Sequence, residues 1–227
     1  MKIYKVEVII TNQYARRIDG KDKGYTDWSI RSAIDLNSVI DNNEIVIEGL
    51  ISKLLEKEGN FCGIHKTPEY TIAYVDRVRS YPLFYSMINN KLYISDRVEE
   101  LAIFDDRYDD RSVIELQMSN FVSGKNTIFK NVFQIKPGEV LMYNKNNNEF
   151  KKIKYSCYFS ESVFTQTKGE LIKKHIHIVD SIFNRIIEKI NGKDVLIPLS
   201  GGLDSRLVLC KLKSLGCKNI KTFSYGP

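Results

Sequence analysis

Residues 195–225 contain the feature that most restricts what this chain can fold into. An apolar run, VLIPL, leads into Ser-Gly-Gly, and the residues that follow as far as Leu215 have apolar side chains at helical spacing. Gly216 ends that pattern, and residues 219–225 form a second apolar run. A long amphipathic pattern over residues 168–190 precedes the first run. Helix, strand, glycine loop, helix and strand in this order predict a parallel α/β unit.

The glycine loop, SGGLDS at residues 200–205, has the composition of an anion-binding site. Glycine permits backbone conformations that turn N–H groups toward a ligand, and it has no Cβ to block a phosphate. The following helix adds its positive end, and Ser200 and Ser205 add hydroxyl donors. Asp204 can hold a Mg²⁺ ion that bridges phosphate oxygens. The segment matches neither GxxxxGK[ST] nor GxGxxG. A serine–glycine turn without a ligand is the alternative interpretation.

The first two thirds of the chain have a different pattern, typical of short strands. Apolar and β-branched runs predict strands near residues 3–10, 61–64, 70–75, 92–94, 139–143 and 150–155. Residues 45–55 have the apolar spacing of a helix, and Asp96 and Asp110 are predicted to cap two short helices. A polar, turn-rich segment then separates two predicted domains, residues 1–160 and 165–227.

Composition and charge narrow the partners and the compartment. The chain has 34 Lys and Arg against 28 Asp and Glu, a net charge of +6. Because the acids are interspersed among the bases, we expect solvated surfaces and no nucleic-acid partner. No apolar run approaches the roughly 18 residues that span a bilayer, so no membrane partner is expected. The cysteines form no CxxC pair and are typical of reduced thiols in a cytoplasmic protein: Cys62, Cys157, Cys210 and Cys217.

Several motifs resemble those of known enzymes. Residues 200–205 resemble the SGGxDS pyrophosphate loop of the ATP pyrophosphatases, also called PP-loop enzymes. Residues 76–85, DRVRSYPLFY, are similar to the DRxGxxPLYY stretch of asparagine synthetases. The weaker matches to the same family are Gly59-Asn60-Phe61, Ser95-Asp96, Thr127-Ile128, Pro137-Gly138 and residues 222–226. In order and spacing, these matches cover most of residues 55–227.

The resemblance to asparagine synthetase-like enzymes implies a fold and a function. The fold would be α+β: a layered β-sandwich of the Ntn-hydrolase, glutamine amidotransferase type, followed by the N-terminal part of a parallel α/β domain. That second domain would be of the PP-loop, adenine nucleotide alpha hydrolase-like type. The function would be that of an ATP-dependent ligase, which adenylates a carboxylate, releases AMP and pyrophosphate, and forms an amide. ATP and Mg²⁺ would be its cofactors, and a small-molecule carboxylate and an amine or ammonia donor its partners.

The resemblance also implies roles for residues of the second domain, while it identifies no catalytic residue. Leu199 and Tyr225 would flank adenine, and Gly226 would belong to the same nucleotide site. The residues that would hold pyrophosphate are Ser200, Gly201, Gly202 and Ser205, and Asp204 would contact Mg²⁺.

The sequence of the first domain departs from the family's motifs at two places. Glutaminases of this family use a cysteine exposed as residue 1, whose own α-amine acts as the base. Here Met1 is followed by Lys2, and Cys62 lies too deep in the chain to supply an α-amine. Arg79 also stands where the family has glycine. We therefore predict a scaffold without glutaminase activity, as in the family's β-lactam synthetases and lasso-peptide cyclases.

Two other functions stay open: a non-catalytic nucleotide-binding or assembly module, and genuine glutamine-hydrolysing asparagine synthesis. The sequence identifies neither the acceptor carboxylate nor the nitrogen donor, and it leaves a homodimer open. Only two strands are predicted after the linker, whereas a doubly wound sheet has about five. We therefore expect the second domain to be truncated and this chain alone to be inactive.

Overall fold

The computed structural model describes residues 6–11, 15–20, 25–30, 34, 36, 39–41, 44–89, 91–159 and 165–224. The chain divides into two compact units, residues 1–160 and residues 161–227. The first unit is built on β-sheets, and the second is a small α/β unit.

Two sheets form the frame of the first unit. Within the described residues, one sheet has four strands in the order β1 (Val6–Ile9), β9 (Lys91–Ser95), β8 (Phe84–Ile88) and β10 (Val132–Gln134). The other has six, in the order β12 (Glu149–Lys154), β11 (Glu139–Asn144), β7 (Tyr70–Val75), β6 (Cys62–Lys66), β3 (Tyr25–Ile30) and β2 (Ala15–Gly20). Neighbouring strands are antiparallel, apart from the parallel pair β1 and β9. The remaining elements of this unit are the paired strands β4 (Ile40–Asp41) and β5 (Glu44–Ile45), and the helices α1 (Ile47–Glu56), α2 (Val98–Ala102) and α3 (Asp110–Ser119).

Strand β7 lies in the middle of the layers, and its sequence explains why. Residues 71–75, TIAYV, are all buried. Ala73 and Val75 face a core shared by the two sheets, whereas Ile72 and Tyr74 face a second core beneath α1. A strand covered on both faces requires a near-continuous apolar run, and β7 has one. The first unit is therefore a layered α+β structure of sheet, sheet and helix, as the sequence predicts.

Two predicted helix caps are wrong. Helix α2 begins at Val98 without a side-chain cap, and the Asp96 carboxylate instead accepts hydrogen bonds from the backbone N and the hydroxyl of Thr11. Helix α3 is capped by Asp109, whose Oδ1 accepts from Ser112 N at 2.9 Å, and Asp110 is already inside the helix. Adjacent aspartates are equivalent as sequence signals, so only the path of the chain decides which one caps the helix.

The second unit follows the predicted order of elements. Its described part consists of α4 (Lys168–Ile190), β13 (Val195–Pro198), α5 (Leu203–Ser214) and β14 (Ile220–Phe223). The two strands pair in parallel, and Phe183, Ile197 and Leu212 form the buried core. Helix α4 has the predicted bounds because a capping box of Thr167 and Glu170 starts it. None of the helices in the described ranges is both long enough and apolar enough to cross a membrane.

Gly63 on β6 lies in close contact with Tyr74 on the neighbouring strand β7. A Cβ at this position would lie 2.3 Å from Tyr74 Oη and 2.5 Å from Tyr74 Cζ. Tyr74 is itself buried in the core beneath α1, so its ring has little room to move. The absence of a side chain at Gly63 is therefore a packing requirement.

We expect Gly63→Ala to lower the free energy of unfolding by about 1–3 kcal/mol, because the added methyl overpacks the core. Urea denaturation followed by the fluorescence of Trp28, the chain's one tryptophan, measures this in the first unit. Tyr74→Phe removes the closest atom, so the double variant should lose less stability than the two single variants together. Unchanged stability of Gly63→Ala would contradict this packing.

Candidate functional site

The loop between β13 and α5 lies at the carboxyl end of the parallel strands, where ligands bind in open α/β sheets. Leu199 N donates a hydrogen bond to Phe223 O at 2.8 Å, which extends the strand pairing by one residue. Ser224 Oγ donates to Leu199 O, also at 2.8 Å. These two bonds fix the start of the loop to the end of β14.

Ser205, in the first turn of α5, holds the loop in shape. Its Oγ accepts a hydrogen bond from Ser200 N at 3.1 Å and lies 3.0 Å from Ser200 Oγ. Gly202 N donates to Ser200 Oγ at 3.3 Å. Two hydroxyls and two backbone N–H groups thus meet within one short exposed loop. Such donors bind phosphate oxygens in proteins.

The two glycines keep the loop open. A Cβ at Gly201 would meet no heavy atom within 4 Å, whereas a Cβ at Gly202 would lie 3.3 Å from Ser200 Oγ. Gly202 is also the N-cap residue of α5, and it provides no side-chain cap. The first N–H groups of the helix therefore have no N-cap side chain to which they donate, and N–H groups at a helix start can donate hydrogen bonds to a bound anion.

Asp204 is the acidic residue of the first turn of α5, and its side chain is exposed. Among the described residues, no group of three or more His, Cys, Asp or Glu side chains could hold a metal ion. Mg²⁺ does not need such a group, because one or two carboxylates hold it together with the phosphates of a substrate. The position of Asp204 beside the serine–glycine loop fits that mode, and its contact with Mg²⁺ stays a prediction.

The structure brings most of the predicted site residues together. One connected segment, with its hydrogen bonds to the end of β14, contains Leu199, Ser200, Gly201, Gly202, Asp204 and Ser205. Tyr225 and Gly226 lie outside the described residues. Ser224 was not among the predicted site residues, although its hydroxyl donates to Leu199 O. Ser224 lies within residues 222–226, TFSYG, which resemble the asparagine synthetase family, and that match could have pointed to it.

In the first unit, the residues that resemble the asparagine synthetase motifs build a structural loop. The Asp76 carboxylate is buried and accepts hydrogen bonds from Phe61 N at 3.0 Å, Val78 N at 2.9 Å and Ser80 N at 3.1 Å. The carboxylate thereby connects residues 59–61 with residues 76–80, two segments that resemble asparagine synthetase motifs. The hydroxyl of Tyr155 donates to Val75 O beside it, and burial raises the pKa of Tyr155 to about 12.

Arg79 lies in this loop with a backbone φ of +56°, in the left-handed region that favours glycine. Its N–H donates to Asp76 O, and its guanidinium lies 5.4 Å from the centre of the Phe84 ring. Burial lowers the pKa of Arg79 below its usual value. The position where the resembling family has glycine is therefore one that needs positive φ, and this chain places a half-buried cation there.

Comparisons with known proteins give one relative in sequence. No protein-family model matches the chain. The Escherichia coli microcin J25-processing protein McjC is 24% identical over 183 residues, which cover 77% of this chain. The same match covers 32% of McjC, so the chain spans about a third of the length of this relative. The identity is low, and the similarity supports a distant relationship.

Two solved structures resemble part of the chain. The glutamine phosphoribosylpyrophosphate amidotransferase of B. subtilis, in complex with ADP and GMP, is 11% identical and has a TM-score of 0.35. That match covers 67% of this chain and 33% of the amidotransferase. The allosteric regulatory enzyme of purine biosynthesis is 12% identical, with a TM-score of 0.33, over 65% of this chain and 32% of the enzyme. Scores of this size lie below the level that establishes a common fold, so we infer nothing from either structure.

The conformation of Arg79 predicts that glycine is favoured over alanine at this position. Arg79→Gly and Arg79→Ala both remove the guanidinium and its ring contact, and they differ in the cost of positive φ. We expect Arg79→Gly to be more stable than Arg79→Ala by about 1 kcal/mol. Urea denaturation followed by Trp28 fluorescence measures the difference. Equal stabilities, or a more stable alanine variant, would show that the residue does not hold this conformation in solution.

Proposed function

We propose that this chain is part of an ATP-dependent enzyme of the asparagine synthetase kind, which adenylates a carboxylate and lets a nitrogen nucleophile displace AMP. Residues 1–160 would be a glutamine amidotransferase-like domain of Ntn-hydrolase type. Residues 165–227 would be the start of a PP-loop ATP-binding domain.

The observation that carries the proposal is the arrangement of donors around Ser205. A parallel strand ends in a serine–glycine–glycine loop, and the hydroxyls of Ser200 and Ser205 lie 3.0 Å apart at the start of the next helix. The hydrogen-bond donors of the loop lie close together, as the binding of a compact group with several negative charges requires. Pyrophosphate is such a group, and it is the part of ATP that leaves when the α-phosphate is attacked.

The residues of this loop would act on the charge of the leaving group. A bare carboxylate is a poor electrophile. Attack of its oxygen on the α-phosphorus of ATP, with departure of pyrophosphate, would convert it into an activated acyl-adenylate. Negative charge then accumulates on pyrophosphate, where backbone N–H groups, the two serine hydroxyls and the end of α5 would stabilise it. Asp204 would hold Mg²⁺, which supplies further stabilisation of phosphate charge when bound.

The first unit supports a scaffold better than a glutaminase. A glutaminase of the resembling family needs a cysteine whose own α-amine is the base. The four cysteines of the chain all lie outside β1, and Cys62, on β6, is buried in the core between the sheets. The Asp76 carboxylate is occupied with backbone hydrogen bonds. We therefore propose that the nitrogen comes from an amine of the substrate.

The relative in sequence suggests the class of substrate. McjC is named for the processing of microcin J25. We propose that this protein acts on a microcin-type precursor, in which an internal amine is joined to the adenylated carboxylate.

Titration of the chain with ATP and Mg²⁺ by calorimetry tests the nucleotide site. Ser205→Ala removes the hydroxyl on which the loop geometry depends, and we expect it to weaken ATP binding roughly tenfold. Ser214→Ala is the matched control, because it removes a hydroxyl from the other end of the same helix, where Ser214 Oγ donates to Lys211 O. Absence of ATP binding, or equal affinity of the two variants, would contradict the site.

A further inference from the structure

A cavity of about 230 Å³ is lined entirely by residues of the first unit, and none of them is a predicted nucleotide-site residue. Three cationic side chains line it, Arg77, Lys136 and Lys154, and they come from three separate segments of the chain. Three cationic side chains around one cavity give its lining a positive potential, which favours an anionic ligand.

The segments that carry these cations are connected by hydrogen bonds to the backbone of Gly138. Gly138 N donates to Asp76 O at 3.0 Å, and Gly138 O accepts from Tyr155 N at 2.9 Å and from Ser156 N at 3.3 Å. Gly138 has φ of +64°, and a Cβ there would lie 2.6 Å from Ser156 O. The three cations therefore project from a rigid frame and not from independent loops.

One carboxylate compensates part of this charge. Glu139 lines the cavity and is buried, its Oε2 accepts from Lys136 N at 3.0 Å, and its Oε1 lies 3.5 Å from Lys136 Nζ. Three cations against one carboxylate leave a surplus of two positive charges in the lining. A phosphate monoester carries close to two negative charges at neutral pH, whereas a carboxylate carries one.

Two aromatic side chains complete the lining. Tyr158 is 92% exposed and Phe159 is 80% exposed, and their rings lie nearly perpendicular with centres 5.6 Å apart. Adjacent exposed aromatic rings beside cations are suited to a ligand that is both anionic and flat, because the cations bind the phosphate while a ring stacks on the planar part.

We propose that this cavity, lined by Arg77, Lys136, Lys154, Tyr158 and Phe159, binds a nucleoside monophosphate, with the phosphate among the cations and the base on the aromatic rings. This site does not depend on the serine–glycine loop or on the function proposed above.

Alkylation of Cys157 provides the test, because this exposed thiol lines the cavity and Lys154 Nζ lies 3.1 Å from its sulfur. Iodoacetamide labelling of the full chain is followed by mass spectrometry of the peptide that contains Cys157. We expect adenosine monophosphate to slow the labelling, inorganic phosphate to slow it less, and adenosine to have no effect.

Substitutions of the cationic side chains test whether the ligand binds in this cavity. Lys136→Gln, on a half-exposed side chain, should raise the concentration of adenosine monophosphate needed for half-protection roughly tenfold. Arg77→Gln should act in the same direction. Lys151→Gln is the matched control, because Lys151 is an exposed lysine of β12 that does not line this cavity. The midpoint of thermal unfolding checks that each variant is folded.

The proposal is overturned if millimolar adenosine monophosphate gives no protection, if adenosine protects equally, or if Lys136→Gln and Lys151→Gln behave alike. The Ser205→Ala variant separates this site from the proposed ATP site. Protection of Cys157 should be unchanged in that variant, and its loss would also overturn the assignment. Failure of ATP binding at the loop would leave protection of Cys157 intact.

Discussion

The parallel pairing of β13 with β14 is the interaction on which the proposed site depends. It places the carboxyl ends of both strands side by side, and the bond from Leu199 N to Phe223 O carries that pairing into the loop. Ile197 of β13 is buried in the core of this unit with Phe183 and Leu212. The serine–glycine segment turns directly after the end of this strand, where Ser200 N donates to Ser205 Oγ and Gly202 N donates to Ser200 Oγ.

The first unit shows how a sequence signature can be structural and not catalytic. The buried carboxylate of Asp76 accepts hydrogen bonds from three backbone N–H groups and joins two motifs across a separation of 15 residues. The same loop holds Arg79 at positive φ, and the Asp76 carbonyl is one of the contacts that fix Gly138. The residues of this motif are therefore joined by hydrogen bonds that shape the fold of the first unit.

The elements with strong periodicity were predictable from sequence, and the elements set by distant contacts were not. Helix α4 and strand β7 have the predicted bounds, since apolar spacing and, for α4, Asn191 as the terminating residue define them. Strands β2 and β3 were missed because runs such as ARRIDG carry little apolar signal. The strand, the serine–glycine loop and the helix around residues 200–205 were predictable from sequence, and the binding of an anion there stays a prediction. The cavity at Lys136 was not, because its three cations are brought together by tertiary contacts at Gly138.

The central claim is that the serine–glycine loop binds pyrophosphate, and backbone amide chemical shifts measure this directly. Titration of the isotope-labelled chain with pyrophosphate and Mg²⁺ should produce saturable shifts at Ser200, Gly201, Gly202 and the first turn of α5, and these shifts should be absent in Ser205→Ala. Saturable shifts confined to other parts of the chain, or no saturable shifts in residues 200–205, would contradict the account.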